Sequence, residues 1–235
     1  MPAVRSPWLI AFAVASVVHL VLNGAGAEPW DSITKCLIAP LLVGWAVEQR
    51  APRLLVVALT LCFAGDLLLE IDGLFIAGMA AFAGAHVAFI TLFVRRGALE
   101  RLMARPLIAA VYVVAAVAMV AWCWGGLEAG LKAPIPVYAA LLVGTAATSL
   151  ATDVRAGVGA ALFLVSDGII ALSEAGRIDD DAPLTGLAIM TLYLLAIFLL
   201  ATSIVQREQR TRAAGPGFDP TVRTDCWPRV PRTTV

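Results

Sequence analysis

Two carboxyls sit where a charge has no ordinary use. Asp66 lies in CFAGDLLLEI and Asp167 in ALFLVSDGIIAL, each inside a long apolar run. A charged side chain near the centre of a bilayer is disfavoured by ~2.5 to 3.5 kcal/mol on insertion scales, so such groups face a protein interior or a watered cavity. Two carboxyls brought together can divide acid–base work, one giving a proton while the other activates water. Lys35, His86 and Tyr193 occur in similarly apolar surroundings, and Ser166 directly precedes Asp167. These six residues are the chemical inventory, with the two aspartates as catalytic candidates and Lys35, His86, Tyr193 and Ser166 as candidates for holding a substrate.

The same residue types have other uses. Intramembrane Asp and Lys can neutralise each other or cap backbone groups in a packed bundle. Ser166, Asp167 and His86 have the composition of a hydrolase triad, but neighbouring residues point about 100° apart on a helix, which spoils a linear relay. Cys62, one turn before Asp66, suggests a zinc site with His86 and Asp167, yet no ligand spacing in the chain is diagnostic. No cofactor or metal is expected. The sequence lacks G-x-S-x-G, H-E-x-x-H and P-loop patterns, and no G-x-G-x-x-G follows a strand. His19 and Asn23 read as polar packing between helices.

The elements that must carry these groups follow from composition. Of 235 residues, 60% are hydrophobic and 14% charged, far too apolar for a soluble domain. Apolar runs near residues 7–24, 33–48, 54–70, 74–94, 106–124, 134–151, 156–173 and 184–205 give about eight spanning helices. The expected fold is an all-α, multi-pass membrane bundle, placed in the cell membrane. Arginines at 5, 50, 53, 95, 96, 101, 105 and 155 and in the tail fall on one side of such a bundle, which predicts cytoplasmic N and C termini. At ~1.5 Å per residue, Asp66 and Asp167 lie ~20 and ~18 Å from that side, and His86 and Tyr193 ~18 and ~14 Å from the other. Lys35 is ~6 Å below the outer face. The inventory therefore occupies a band from the midplane to the outer interface.

Short loops imply one membrane domain over residues 1–206. Residues 207–235, rich in Arg, Pro and Thr, read as a disordered cytoplasmic tail. Small residues on the fourth run, Gly73, Ala77, Ala80, Ala81 and Gly84, predict close helix packing. FAGD and LVSD form a weak echo between the two halves. The net charge of zero gives no argument for nucleic acid, and membrane lipids are the expected surroundings. Oligomeric state is not legible.

TKCL at 34–37, GDLLL at 65–69, AFAGAHVAF at 81–89, GAALFLVSD at 159–167 and TLYLLAIFLLATS at 191–203 appear in an order that resembles the YhhN family of integral membrane proteins, whose eukaryotic members are lysoplasmalogenases. The resemblance implies an eight-helix ether hydrolase that cleaves the vinyl ether of a lysoplasmalogen, a lysophospholipid, to a fatty aldehyde and glycerophosphoethanolamine or glycerophosphocholine. By motif, Asp66 and Asp167 match the family's two aspartates, Lys35 its lysine, His86 its histidine and Tyr193 its tyrosine. Departures fall at Cys36, Phe89, Leu194 and Ile197. A proton-coupled carrier of a small or lipid-like substrate, with the carboxyls relaying protons, is the alternative, and a non-catalytic scaffold the third reading.

Overall fold

The computed structural model describes residues 6–179 and 182–214, and among these it contains nine helices and no strand. They are α1 (Pro7–Gly24), α2 (Trp30–Glu48), α3 (Arg53–Leu69), α4 (Phe75–Val94), α5 (Ala98–Ala104), α6 (Pro106–Cys123), α7 (Pro134–Thr152), α8 (Val154–Glu174) and α9 (Pro183–Ala214). Seven are at least 18 residues long and apolar enough to cross a membrane; α3, with 17 residues, packs between α2 and α4 and completes eight long helices. Together they form the expected multi-pass helical bundle.

Local sequence explains the helix ends. Proline, which lacks the amide that a first turn leaves unbonded, opens α1 and α6. Asp153 caps α8 by accepting the Ala156 amide at 3.0 Å. Gly97, at a φ of 79°, makes the left-handed turn into α5, a short helix that hydropathy alone did not separate from a loop.

Burial is uneven. In the apolar window of α9, 61% of residues are buried, against 6% in α6, so α9 is a central helix and α6 an outlying one. The main core runs through Trp45, Leu42, Leu59, Phe89, Phe163 and Leu200, drawn from α2, α3, α4, α8 and α9. α3 and α4 approach closely through Gly65, Gly78 and Gly84: a Cβ on Gly65 would stand 2.5 Å from the Phe82 ring. The expected small-residue face of α4 is only partly used, because Ala77 and Ala80 are exposed and Gly73 lies in the preceding turn. The buried face is instead Gly78, Phe82, Ala85, His86 and Phe89, the stripe at helical spacing that carries the aromatic bulk.

Both ends of the described chain meet at the arginine-rich end of the bundle. Ser6 Oγ donates to Glu48 at 2.5 Å, and Arg212 donates to the Arg50 carbonyl at 2.9 Å. α9 continues as helix to Ala214, eight residues past Gln206, where a change to tail was expected. Gln, Arg and Ala are good helix formers, and this last stretch is tied to α2 and α4 by Gln209–Gln49 and Arg96–Glu208 contacts. Residues 215–235 of the predicted disordered tail lie outside the described residues. A second, smaller apolar cluster, Cys123, Leu127, Leu131, Ile135 and Ala175, closes the other end of the bundle.

Candidate active site

Helices that alternate in direction bring the deep polar residues of α3, α8 and α9 to one level. The result is a cavity of about 350 Å³, toward the end opposite the arginines. Asp66 and Asp167 both line it. So do Lys35, Ser166 and Tyr193, while most of the remaining wall is apolar, supplied by residues such as Phe75, Met79, Met119, Leu142 and Leu164. This volume is in the ~300 to 1,000 Å³ range of small-molecule sites, and a few convergent polar groups on an apolar wall are typical of them.

Each aspartate is gripped by a tyrosine. Tyr193 Oη on α9 donates to Asp66 Oδ2 at 2.7 Å, and Asp66 is only 2% exposed. Tyr138 Oη on α7 donates to Asp167 Oδ2 in a shorter contact. A phenol is a suitable partner here, because its ring packs with the apolar core while its hydroxyl meets the carboxylate. The rings are themselves braced: Tyr193 lies edge-to-face on Phe82 and Phe163, at centroid distances of 5.9 and 5.4 Å. With Oδ2 occupied, Oδ1 of each aspartate has no hydrogen-bond partner among the described residues.

Lys35 Nζ meets Glu70 Oε1 at 2.6 Å, with the lysine and glutamate side chains 18% and 25% exposed. The pair therefore sits at the margin of the buried site rather than in its centre. Lys35 is within electrostatic reach of Asp66, whereas Asp167 has no such cation among the described residues. Ser166 Oγ is already committed, donating to the Ile189 carbonyl at 2.9 Å and tying α8 to α9.

His86 stands behind the cavity wall. It is fully buried, its Nδ1 is 3.1 Å from Thr145 Oγ1, and its ring packs edge-to-face on Phe163 and Tyr138 at 4.7 and 5.6 Å. It is thus placed to brace Tyr138. Among the described residues, no group of three or more His, Cys, Asp or Glu converges as a metal site. His19 bridges α1 to α2 through the Asp31 carbonyl and Thr34, as its reading as a packing residue required.

Two residues of the site were absent from the sequence inventory. Tyr138 lies near the start of a span, where a tyrosine is an ordinary interfacial residue. It is, however, one of only three tyrosines in the chain, and two of the three hold the two deep aspartates. Glu70 ends the apolar run at 54–70, where an acid is ordinary, and only its level, close to that of Lys35, marks it.

Comparison with known proteins agrees with the motif order. The sequence profile of the YhhN family matches residues 30–204. The chain is 29% identical over 205 residues to human lysoplasmalogenase TMEM86B, covering 85% of this chain and 87% of that protein. It is likewise 29% identical over 211 residues to the rat lysoplasmalogenase TMEM86B, covering 87% of this chain and 86% of the relative. No solved structure matches the chain. The matched span runs from the start of α2 to near the end of the buried part of α9 and takes in every residue of the cavity described above, so this membrane-embedded helical protein belongs to the YhhN family.

Proposed function

We propose that the chain is a lysoplasmalogenase-like hydrolase that cleaves the vinyl ether bond of a lysoplasmalogen within the membrane. The observation that carries this reading is the pair of tyrosine-held carboxyls on the wall of one apolar cavity, each with an oxygen to spare. The names of the human and rat relatives support the same substrate class.

The chemistry asks for what the cavity offers. A vinyl ether is protonated at the carbon remote from oxygen, which leaves an oxocarbenium ion on the carbon that bears oxygen. Water adds there, a hemiacetal forms, and its collapse releases the fatty aldehyde and returns a hydroxyl to the glycerol. The net reaction consumes one water and no other reagent. Protonation at carbon is slow without a positioned acid, and the cation needs a fixed anion beside it. Asp167 is assigned the proton-donating role. Asp66, which shares its side of the cavity with the Lys35 cation, is assigned the charged role: it stabilises the oxocarbenium ion and then takes the proton of the attacking water.

The single aliphatic chain of the lipid lies along the apolar wall toward Met79, Met119 and Leu164. Its phosphate comes to Lys35, and Glu70, now released from the lysine, faces the headgroup amine, yielding glycerophosphoethanolamine or glycerophosphocholine as the second product. Tyr138 and Tyr193 fix the aspartate rotamers, and His86 holds Tyr138 from behind.

The test is hydrolysis by the purified chain in D2O, with the aldehyde trapped by reduction. Lysoplasmalogen should give an aldehyde carrying one solvent deuterium on the carbon next to the carbonyl. The saturated alkyl ether and the acyl lysophospholipid should be left intact. Failure to release aldehyde from the vinyl ether, or transfer of unaltered lipid across a vesicle membrane instead, would overturn the proposal.

A further inference from the structure

The arginine-rich end of the bundle contains a second cavity, of about 330 Å³, remote from the aspartates. It is bounded by the start of α8 and the last turns of α9, and its wall is far more polar than that of the first. Arg155, Arg207 and Arg210 line it, against the single carboxylate of Asp153. That carboxylate caps α8 through Oδ1, which accepts the Ala156 amide, and its charge also acts on Arg207.

The three arginines exceed the one carboxylate that faces them, and their hydrogen bonds go elsewhere. Arg155 donates to the Gln206 side-chain oxygen at 2.8 Å, and Arg207 donates to the Thr152 carbonyl. Both partners are uncharged. Glu208, which follows Arg207 on α9, is paired with Arg96 at 3.1 Å and Arg212 at 3.4 Å and is not among the cavity's lining residues. Arg96, just past the end of α4, shows the strain of this cluster: burial pulls its guanidinium below the ordinary value, with Glu208 opposing and Arg207 adding repulsion. Finally, Ser203 lines this cavity, and its Oγ is buried without a hydrogen-bond partner among the described residues. A buried hydroxyl with no partner is uncommon and marks a place where another group belongs.

We propose that this cavity binds a phosphate-bearing anion, with the guanidiniums of Arg155, Arg207 and Arg210 on its oxygens and Ser203 donating from the wall. Forked guanidiniums match phosphate oxygens, and basic pockets between helices at a membrane face suit lipid headgroups. The same chemistry would accept the headgroup of an anionic lipid or free phosphate. The site is independent of the vinyl ether chemistry and lies at the other end of the bundle.

The experiment follows the thermal midpoint of the full chain under two additions. Inorganic phosphate is titrated in detergent against chloride at matched ionic strength, and the chain is separately placed in phosphatidylcholine nanodiscs with or without phosphatidic acid. Stabilisation by phosphate in detergent identifies a free-phosphate site, and stabilisation confined to phosphatidic acid identifies a headgroup site; either supports the proposal. Arg210→Gln, which removes no hydrogen bond or ion pair within the described protein, should weaken the apparent affinity roughly tenfold or more and leave the unliganded midpoint unchanged. Ser203→Ala should weaken it by a smaller factor. Asp66→Asn and Asp167→Asn should leave it unaltered. Absence of stabilisation in both arms, or equal stabilisation of wild type and an Arg155→Gln/Arg210→Gln double variant, would overturn it.

Discussion

Asp66 and Asp167 occupy corresponding places in the two four-helix halves of the bundle, on the third long helix of each, yet their surroundings differ. Tyr193 reaches Asp66 from α9, across the halves, whereas Tyr138 reaches Asp167 from α7, the helix just before it. Asp66 also feels the Lys35–Glu70 pair, whereas Asp167 has its tyrosine, the apolar wall and the like charge of Asp66, with no cation in reach among the described residues. The FAGD and LVSD echo therefore places two like groups, and under the proposed mechanism their unlike partners divide the labour between them. A charged role suits the carboxylate with a cation at hand, and a proton-donating role suits the other.

That division can be attacked by substitution, starting with the largest expected effect. Asparagine in place of either aspartate keeps the shape and still accepts from tyrosine, but cannot carry the proton. Turnover in aldehyde release should fall by roughly 10³-fold in Asp167→Asn and about 10²-fold in Asp66→Asn, within the range general acid–base groups contribute. The reverse order would exchange the two roles.

The tyrosines come next. Tyr138→Phe should lower kcat by about 10- to 100-fold, equivalent to the ~1.5 to 3 kcal/mol of a hydrogen bond to the carboxylate that Asp167 becomes as it gives up its proton. Tyr193→Phe should lower it less, because Lys35 still acts on Asp66 when the phenol is gone. Equal losses would mean that the Lys35 side of the cavity does not distinguish the two carboxyls. Lys35→Met should raise KM several-fold through the lost headgroup contact and also lower kcat, though by less than Asp66→Asn, because Asp66 loses the cation that favours its charged form.

His86→Phe should have the smallest effect on chemistry. It retains the ring packing on Phe163 and Tyr138 but loses the Thr145 bond. The thermal midpoint should drop by about 2 to 4 °C for each ~1 kcal/mol lost, with turnover reduced only a few-fold. A loss matching that of Asp167→Asn would place His86 in the chemistry itself.

Much of this was legible before any coordinates. The long helices were readable because a span announces itself by a continuous apolar run, and the two aspartates because charge in such a run is conspicuous. Tyr138 and Glu70 were not, since a tyrosine or an acid near the end of a span is ordinary and only a partner from another helix gives it meaning. His86 illustrates the converse: its depth suggested a wall residue, but depth does not give the direction around the helix axis, and that direction points it at Thr145. The extension of α9 to Ala214 escaped a hydropathy reading because it is held by polar contacts with α2 and α4 rather than by apolar burial.

The most direct test of a shared site is the kinetic cycle formed by Asp66→Asn, Asp167→Asn and the double variant, measured as aldehyde release from lysoplasmalogen. Groups that act on one substrate as a unit are strongly non-additive. The account predicts that each single change disables turnover and that the double variant is no worse than Asp167→Asn alone. Wild-type turnover in either single variant, or a double variant whose loss equals the product of the two single losses, would contradict it.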